Sequence, residues 1–196
     1  LKTLIFRAIK DNNTRLQEMM AGNIHVMDNP DAHHIKTLKN RLKDKVKFKQ
    51  MPGFNIGYLA MNQEKKPFND VRVRRAISHA INKESIIKSV YAGYAVAAKN
   101  PMPPTLWGYN KSVKDYEYNP AKAKKLLKEA GLEKGFTTNI WAMPVPRPYM
   151  PDGRKVAEAI QADLKAVGIK AKIVSYDWGT YLNKTKYGEH DMALLG

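Results

Sequence analysis

Stretches that read as strand and stretches that read as helix alternate along the whole chain, and this alternation restricts the fold more than any other feature. LKTLIFRAI (1–9) mixes β-branched and aromatic residues with near-alternating polarity and is stopped by DNN, which predicts a strand and a turn. TRLQEMMAGN (14–23) sets Leu16, Met19 and Met20 at helical spacing, with Thr14 as cap and Gly22-Asn23 as terminator. IHVM (24–27) predicts a strand, residues 33–42 a helix with Ile35, Leu38 and Leu42 on one face, and VKFKQM (46–51) another strand. FNIGYLAMN (54–62) is a mostly apolar strand, followed by a helix from VRVRRAISHAI that Asn69-Asp70 caps. Val73, Ile77, Ala80 and Ile81 form its core-facing row.

The second half repeats the pattern. NKESIIKSVYAG (82–93) is a helix between the cap Asn82 and the stop Gly93, and the prolines of AKNPMPPTLWGYN (98–110) hold an irregular extended loop. NPAKAKKLLKEAG (119–131) has a cap in Asn119, a first-turn proline in Pro120 and an end at Gly131. FTTNIWAM (136–143) reads as a strand. The helix at 153–168 is amphipathic through Val156, Ala159, Ile160, Leu164 and Val167. A strand at 169–178, a short helix at 178–188 and a strand begun by HDMALLG (190–196) complete the order. Such alternation predicts an α/β fold, a sheet flanked by helices, over all-helical or all-β classes. HDMALLG carries more apolar residues than a natural terminus tolerates, so the chain is expected to be cut from a longer one.

Composition removes several function classes. No apolar run approaches the roughly 20 residues of a membrane-spanning helix, and LKTLIFRAIKDNN shows no signal-peptide pattern. Cysteine is absent, which excludes disulfides, thiolate zinc sites and cysteine nucleophiles. There is no G-x-S-x-G, no H-E-x-x-H, no phosphate-cradling glycine loop and no carboxylate pair in a shared apolar setting, so no enzyme and no cofactor are expected. His33 and His34 are adjacent and point different ways, and no third ligand converges on them, so no metal is expected. The formal charge of +16, from 34 Lys and Arg against 18 Asp and Glu, favours anionic partners. The lysines are spread along the chain, however. The densest cluster, Arg72, Arg74 and Arg75, fans over more than one helix side near Asp70 and Glu84 without an aromatic platform, which predicts a solvated face over a nucleic-acid site.

WAMPVPRPYM (141–150) is the exception to this dilute basicity. Arg147 stands among three prolines, a tryptophan, a tyrosine and two methionines. From the residues alone Arg147 reads either as an exposed loop arginine, the favoured reading, or as one whose proline-fixed backbone aims its planar guanidinium fork in advance at an anion such as a carboxylate. Tyr149 is the better candidate for a pocket wall. Trp141 serves equally as wall or as core, and Trp107, on the PPTLWGYN loop, is expected to pack within that loop rather than reach a cleft.

FNIGYLAMNQEKKPFNDVRVRRAISHAINKESIIKSVYAG, with its strand ending in Asn62, its Pro67-Phe68 and its Gly93, resembles the signature region of the large solute-binding proteins that serve peptide-importing ABC transporters. PMPPTLWGY and YNPAKAKKLLKEAG extend the likeness, and WAMPVPRPYMPDGRKVAEAIQADLKAVGIKAKIVSYDW with KYGEHDMALLG resembles the dipeptide-binding branch. The resemblance implies a type II periplasmic binding protein of two closing lobes, of which residues 1–196 form most of one ligand-binding lobe. It also implies that Arg147 pairs with the C-terminal carboxylate of a peptide, with Tyr149 and Trp141 as ligand-binding neighbours. In the branch that the chain resembles, the segment following the one that matches Gly196 supplies an aspartate for the peptide's ammonium, and the resemblance implies the same here. The implied setting is the periplasm, or a lipid anchor outside the cytoplasmic membrane, and the implied partners are a dipeptide and inner-membrane ABC permease subunits, the protein acting as a monomer without nucleic acid. A longer peptide, glutathione or haem is the alternative cargo, and a basic nucleic-acid-binding or scaffolding domain is the alternative from another class.

Overall fold

In the computed structural model, which describes residues 2–196, the first helix starts from an aspartate. Asp11, rather than the expected Thr14, caps α1 (Asn12–Met20), its carboxylate accepting from the Thr14 amide at 2.7 Å and the Thr14 hydroxyl at 2.8 Å. A carboxylate there satisfies a first-turn amide and faces the positive end of the helix dipole. Those same two bonds hold the Asp11 carboxyl below its ordinary pKa. Asp31 caps α2 (Ala32–Leu42) in the same way, and α1 and α2 pack together over Leu16 and Leu38. These elements belong to the first of two compact units, which divide after Met51.

The strands expected at 1–9, 24–27 and 46–51 do not form among the described residues. Alternating polarity supplies a strand with a face but not with a neighbour, and an extended segment without ladder partners leaves its amides to water. Phe6 is accordingly 89% exposed.

The second unit holds β1 (Tyr58–Met61), α3 (Val71–Ala80), α4 (Lys83–Val90), α5 (Pro120–Glu129), β2 (Phe136–Trp141), α6 (Gly153–Ala166), β3 (Ile169–Val174), α7 (Trp178–Lys186) and β4 (Met192–Leu195). Asp70, Asn82 and Asn119 cap their helices as the sequence predicts. The strand expected over 54–62 is shortened to its second half. The sheet order is β1-β4-β2-β3, with β1 antiparallel to β4 and the other pairs parallel, so the predicted α/β class holds as a mixed sheet.

Period-two burial explains the layers. On β3, Ile169 and Ala171 are buried, while Lys170 and Lys172 on the other face are exposed. Beside the sheet, α6 buries Val156, Ile160 and Leu164 and donates from Gln161 Nε2 to the Ala171 carbonyl at 2.7 Å. The predicted row of α3 is inside as well, with Val73, Ile77 and Ala80 packed near Ala123 and Leu127 of α5.

Asp191 locks the start of β4 against the middle of β2. Its carboxylate accepts from Thr138 Oγ1 at 3.0 Å, the Asn139 amide at 3.2 Å and Asn139 Nδ2 at 2.6 Å, and pairs with Lys65 at 3.3 Å. Asn62, at the end of β1, donates to the carbonyls of Gly188 and His190 at 2.8 and 3.3 Å. Together they fix the order of β1, β4 and β2. Replacing Asp191 with Ala strands several part-buried donors, so the chain is expected to lose about 2–3 kcal/mol. Urea unfolding checks this as a lowered midpoint at unchanged slope.

Candidate functional site

The parallel strands β2 and β3 finish level with each other, and β4 runs two residues further in the same direction. Trp141 at the end of β2 stands opposite Val174 on β3 and Ala193 on β4. Antiparallel β1 begins beside the same end, where Tyr58 pairs with Leu195. The segments that follow the strands are thereby delivered to one edge, and the crevice outside the carboxyl ends of parallel strands is where open α/β sheets bind ligands.

The segment after β2 carries Arg147 in a closed turn. The Arg147 amide donates to the Met150 carbonyl at 3.0 Å, and the Met150 amide returns a bond to the Arg147 carbonyl at 2.9 Å. Met150 is buried beneath the turn and anchors it, while Pro144, Pro146 and Pro148 stay on the surface. Two further contacts hold the Tyr149 carbonyl. The Tyr91 hydroxyl donates to it at 2.9 Å, and Gly57 passes so close that a Cβ there would lie 2.7 Å from the oxygen. The Tyr149 ring, half-buried, rests against Gly196 after β4.

The segment after β3 supplies the support for the guanidinium. Trp178, the first residue of α7, lies with its ring centroid 4.8 Å from the Arg147 guanidinium carbon. The Asp177 side chain caps that helix through Thr180, whose hydrogen bonds hold the carboxyl below its ordinary pKa. Trp178 stacks in turn on Tyr181, with centroids 5.7 Å apart and planes 20° from parallel, and Tyr181 meets Trp141 edge-on at 5.9 Å. Arg147 is half-buried, and among the described residues its guanidinium has no ion-pair or hydrogen-bond partner. An aromatic face can hold an arginine by cation–π attraction while leaving its donor edge available.

Of the residues singled out in the sequence, Arg147 and Tyr149 therefore lie in one turn at the carboxyl end of the sheet. Trp141 is 3% exposed and belongs to the core, edge-on to Tyr176 at 4.9 Å and to His190 at 5.8 Å. It underlies the aromatic stack. Trp107 departs from the expected loop packing, because its indole is 100% exposed. The loop closes without it, through Met102 against Gly108 and a bond from Thr105 Oγ1 to the Gly53 carbonyl at 2.9 Å. The arginine cluster is only partly solvated: Arg72 grips Asp70 and the Glu129 carbonyl, and Arg74 donates to the Phe68 carbonyl at 2.7 Å. Among the described residues no group of three metal-ligating side chains assembles.

Trp178 and Tyr181 escaped the sequence reading, which saw only a short helix at 178–188. The usable signal was positional. Trp178 follows a strand that pairs with the one leading to Arg147, so parallel neighbours place both at one edge.

A sequence profile of bacterial extracellular solute-binding proteins, family 5 middle region, matches residues 1–196. The chain belongs to that family. It is 50% identical over 197 aligned residues to the dipeptide-binding protein of Escherichia coli (strain K12), an alignment covering 100% of this chain and 36% of that protein. Heme-binding protein A of Haemophilus influenzae is 39% identical over 196 residues, again with 100% and 36% covered. Among solved structures, the periplasmic binding protein DppA from Helicobacter pylori in complex with the peptide STSA superposes with a TM-score of 0.82 at 40% identity, covering 96% of this chain and 35% of that one. This family 5 chain thus spans 36% of the length of these curated relatives, and its mixed sheet flanked by helices is that of type II periplasmic binding proteins. No helix among its described residues is long and apolar enough to cross a membrane.

Tyr181 joins the site to the core. Its hydroxyl lies 3.0 Å from the Trp141 carbonyl and 2.8 Å from the Leu194 carbonyl, and burial pushes its pKa well above the ordinary 10.0. The neutral phenol is thus favoured by folding, so this group is silent in stability below pH about 10 and costs stability as pH rises beyond it. Tyr181→Phe is expected to lower stability at neutral pH by about 1–2 kcal/mol and to flatten the alkaline fall, which urea midpoints from neutral to alkaline pH measure.

Proposed function

We propose that this chain is most of one lobe of the substrate-binding component of an ABC importer, and that it takes part in binding dipeptides outside the cytoplasmic membrane. The single observation that carries the reading is the Arg147 guanidinium, without an ion-pair partner among the described residues, held on Trp178 at 4.8 Å at the carboxyl end of the sheet. Its fork donates two parallel charge-assisted hydrogen bonds to the peptide's C-terminal carboxylate. Tyr149 flanks that contact, and Trp141 acts from below by supporting Tyr181 and Trp178. The remainder of the protein supplies the second lobe and the acidic partner for the ammonium group. The monomer closes on its cargo and hands it to membrane permease subunits without chemical change.

The relatives support a peptide cargo, since the protein half identical to this chain is named for dipeptides and the Helicobacter pylori structure holds a peptide. The Haemophilus influenzae relative, named for haem, favours a second reading in which the same arginine takes a haem propionate. Glutathione and longer peptides present a carboxylate too. Titration of the intact protein with dipeptide, tetrapeptide, glutathione and haem separates these, with tightest binding expected for dipeptide.

Arg147→Ala in the intact protein leaves the peptide carboxylate desolvated without a partner. The expected loss is about 2–5 kcal/mol, roughly 30-fold to several-thousand-fold in affinity. Arg147→Lys keeps the charge but not the fork and recovers part of the loss. Amidating the peptide's C-terminus weakens binding to the native protein severely and to the Ala variant much less, because both changes remove one contact. Calorimetric titration of the four combinations gives the coupling energy, and additive losses would show that Arg147 and the carboxylate do not meet.

A further inference from the structure

The lysines that the ligand site leaves unused gather at the opposite end of the sheet. Residues 121–135 and 163–172 carry eight lysines, at 122, 124, 125, 128, 134, 165, 170 and 172, against three carboxylates, Glu129, Glu133 and Asp163, for a net charge of +5. The fold brings these two segments together. Gly135 and Gly168 touch so closely that a Cβ on Gly135 would lie 1.9 Å from the Gly168 carbonyl oxygen, which sets Lys134 beside the end of α6. A cavity of about 540 Å³ lies between α5 and the α6 terminus, rimmed by Lys124, Lys125 and Lys128 and floored by Leu127 and Val167. Its remaining lining is Glu133, Ala166 and Gly168.

Ordinary structural roles account for part of this charge. Lys128 and Lys165 sit in the last turns of α5 and α6, where they offset the helix dipoles. Lys128 also pairs with Glu133 at 3.0 Å and Lys122 with Glu117 at 3.9 Å. Lys124, Lys125 and Lys134 have no ion pair among the described residues and are exposed, and Lys170 and Lys172, also exposed and without an ion pair among those residues, extend the charge around the edge strand β3 on its other face. The one carboxylate of the patch within α6, Asp163, is engaged with the Asn82 amide at 2.8 Å and does not neutralise them.

We propose that this lysine-rich end of the sheet, centred on the α5–α6 cavity, is a docking surface for the anionic phospholipid face of a membrane. Lysine ammonium groups are attracted to lipid phosphates as point charges and need no fixed geometry. The apolar floor of Leu127 and Val167 suits the junction of headgroup and glycerol, whereas a single-stranded nucleic acid would need aromatic stacking platforms, and the cavity lining contains none. Placement fits the reading above, on which this inference rests. The cavity lies by the first residues of β2 and β3, and Arg147 follows the last residue of β2, about 17 Å away along a six-residue strand. A protein held by the basic end therefore keeps its ligand edge free while its concentration near a permease rises.

Sedimentation of the intact protein with vesicles tests the inference. Vesicles containing about a third phosphatidylglycerol are expected to bind it at low salt and to release it as salt rises, while phosphatidylcholine vesicles leave it in solution. Each lysine near an anionic bilayer contributes about five-fold to partitioning, so Lys124→Gln, Lys125→Gln, Lys128→Gln and Lys134→Gln together are expected to lower it by two to three orders of magnitude. A second variant removes the same charge elsewhere in the unit, through Lys88→Gln, Lys111→Gln, Lys114→Gln and Arg154→Gln, and is expected to keep most of the binding. Equal losses in the two variants would reduce the effect to net charge and overturn the site. Absence of vesicle binding would overturn it too, as would stronger binding to a short oligonucleotide than to the vesicles at matched salt. Dipeptide affinity, measured on the same variants, is expected not to change, so a failed peptide reading and a failed membrane reading give different results.

Discussion

A single phenol stands where the sheet turns into the binding edge. Tyr181 is 0% exposed, and its hydroxyl lies within hydrogen-bond distance of the last carbonyl of β2 and the Leu194 carbonyl of β4. Buried carbonyls demand partners, so this residue determines how far the two strand ends can part. Its ring then does a second task. Packed between Trp141 in the core and Trp178 at the surface, it transmits the rigidity of the sheet to the aromatic face on which Arg147 lies. The direction of an arginine at the rim depends in this way on a tyrosine in the interior.

Cationic residues in this chain act in three ways that composition cannot separate. Arg72 and Arg74 are consumed by the fold, fastening the α3 start to Asp70, to the Glu129 carbonyl and to the Phe68 carbonyl. Arg147 is held on aromatic carbon, its donors without a partner among the described residues, which suits one planar anion. The lysines of α5, α6 and β3 spread over an open surface, which suits a diffuse anionic one. A guanidinium tolerates partial burial because it is weakly hydrated and has directional donors, whereas an ammonium keeps its water and remains outside. Residue type and placement therefore agree at each location.

The two ends of the sheet are also built differently. At the start of β4, Asp191, Asn62 and Asn139 take part in hydrogen bonds that fasten β1, β4 and β2, a polar arrangement that leaves little freedom. At the carboxyl end the connections are aromatic stacking and a proline-stiffened turn closed by paired bonds between Arg147 and Met150. A stiff turn on a locked sheet loses little conformational freedom when ligand arrives, so less of the contact energy is spent on ordering it.

The sequence by itself determined the helices of the larger unit, their caps at Asp70, Asn82 and Asn119, the inward rows of α3 and α6, and the setting of Arg147 among prolines. Those features act within a turn or two of chain, where capping and periodicity are local chemistry. It erred where a partner is required. LKTLIFRAI, IHVM and VKFKQM alternate like strands but find no ladder among the described residues, and Asp11 displaced Thr14 because a carboxylate just ahead of the first turn reaches its amides. Only the tertiary structure decided that Trp141 is core, that Trp107 is bare and that Trp178 meets Arg147. The places of Trp141 and Trp178 depend on which strands lie side by side and where they end, and parallel register is set by packing between segments far apart in sequence, which no local pattern records.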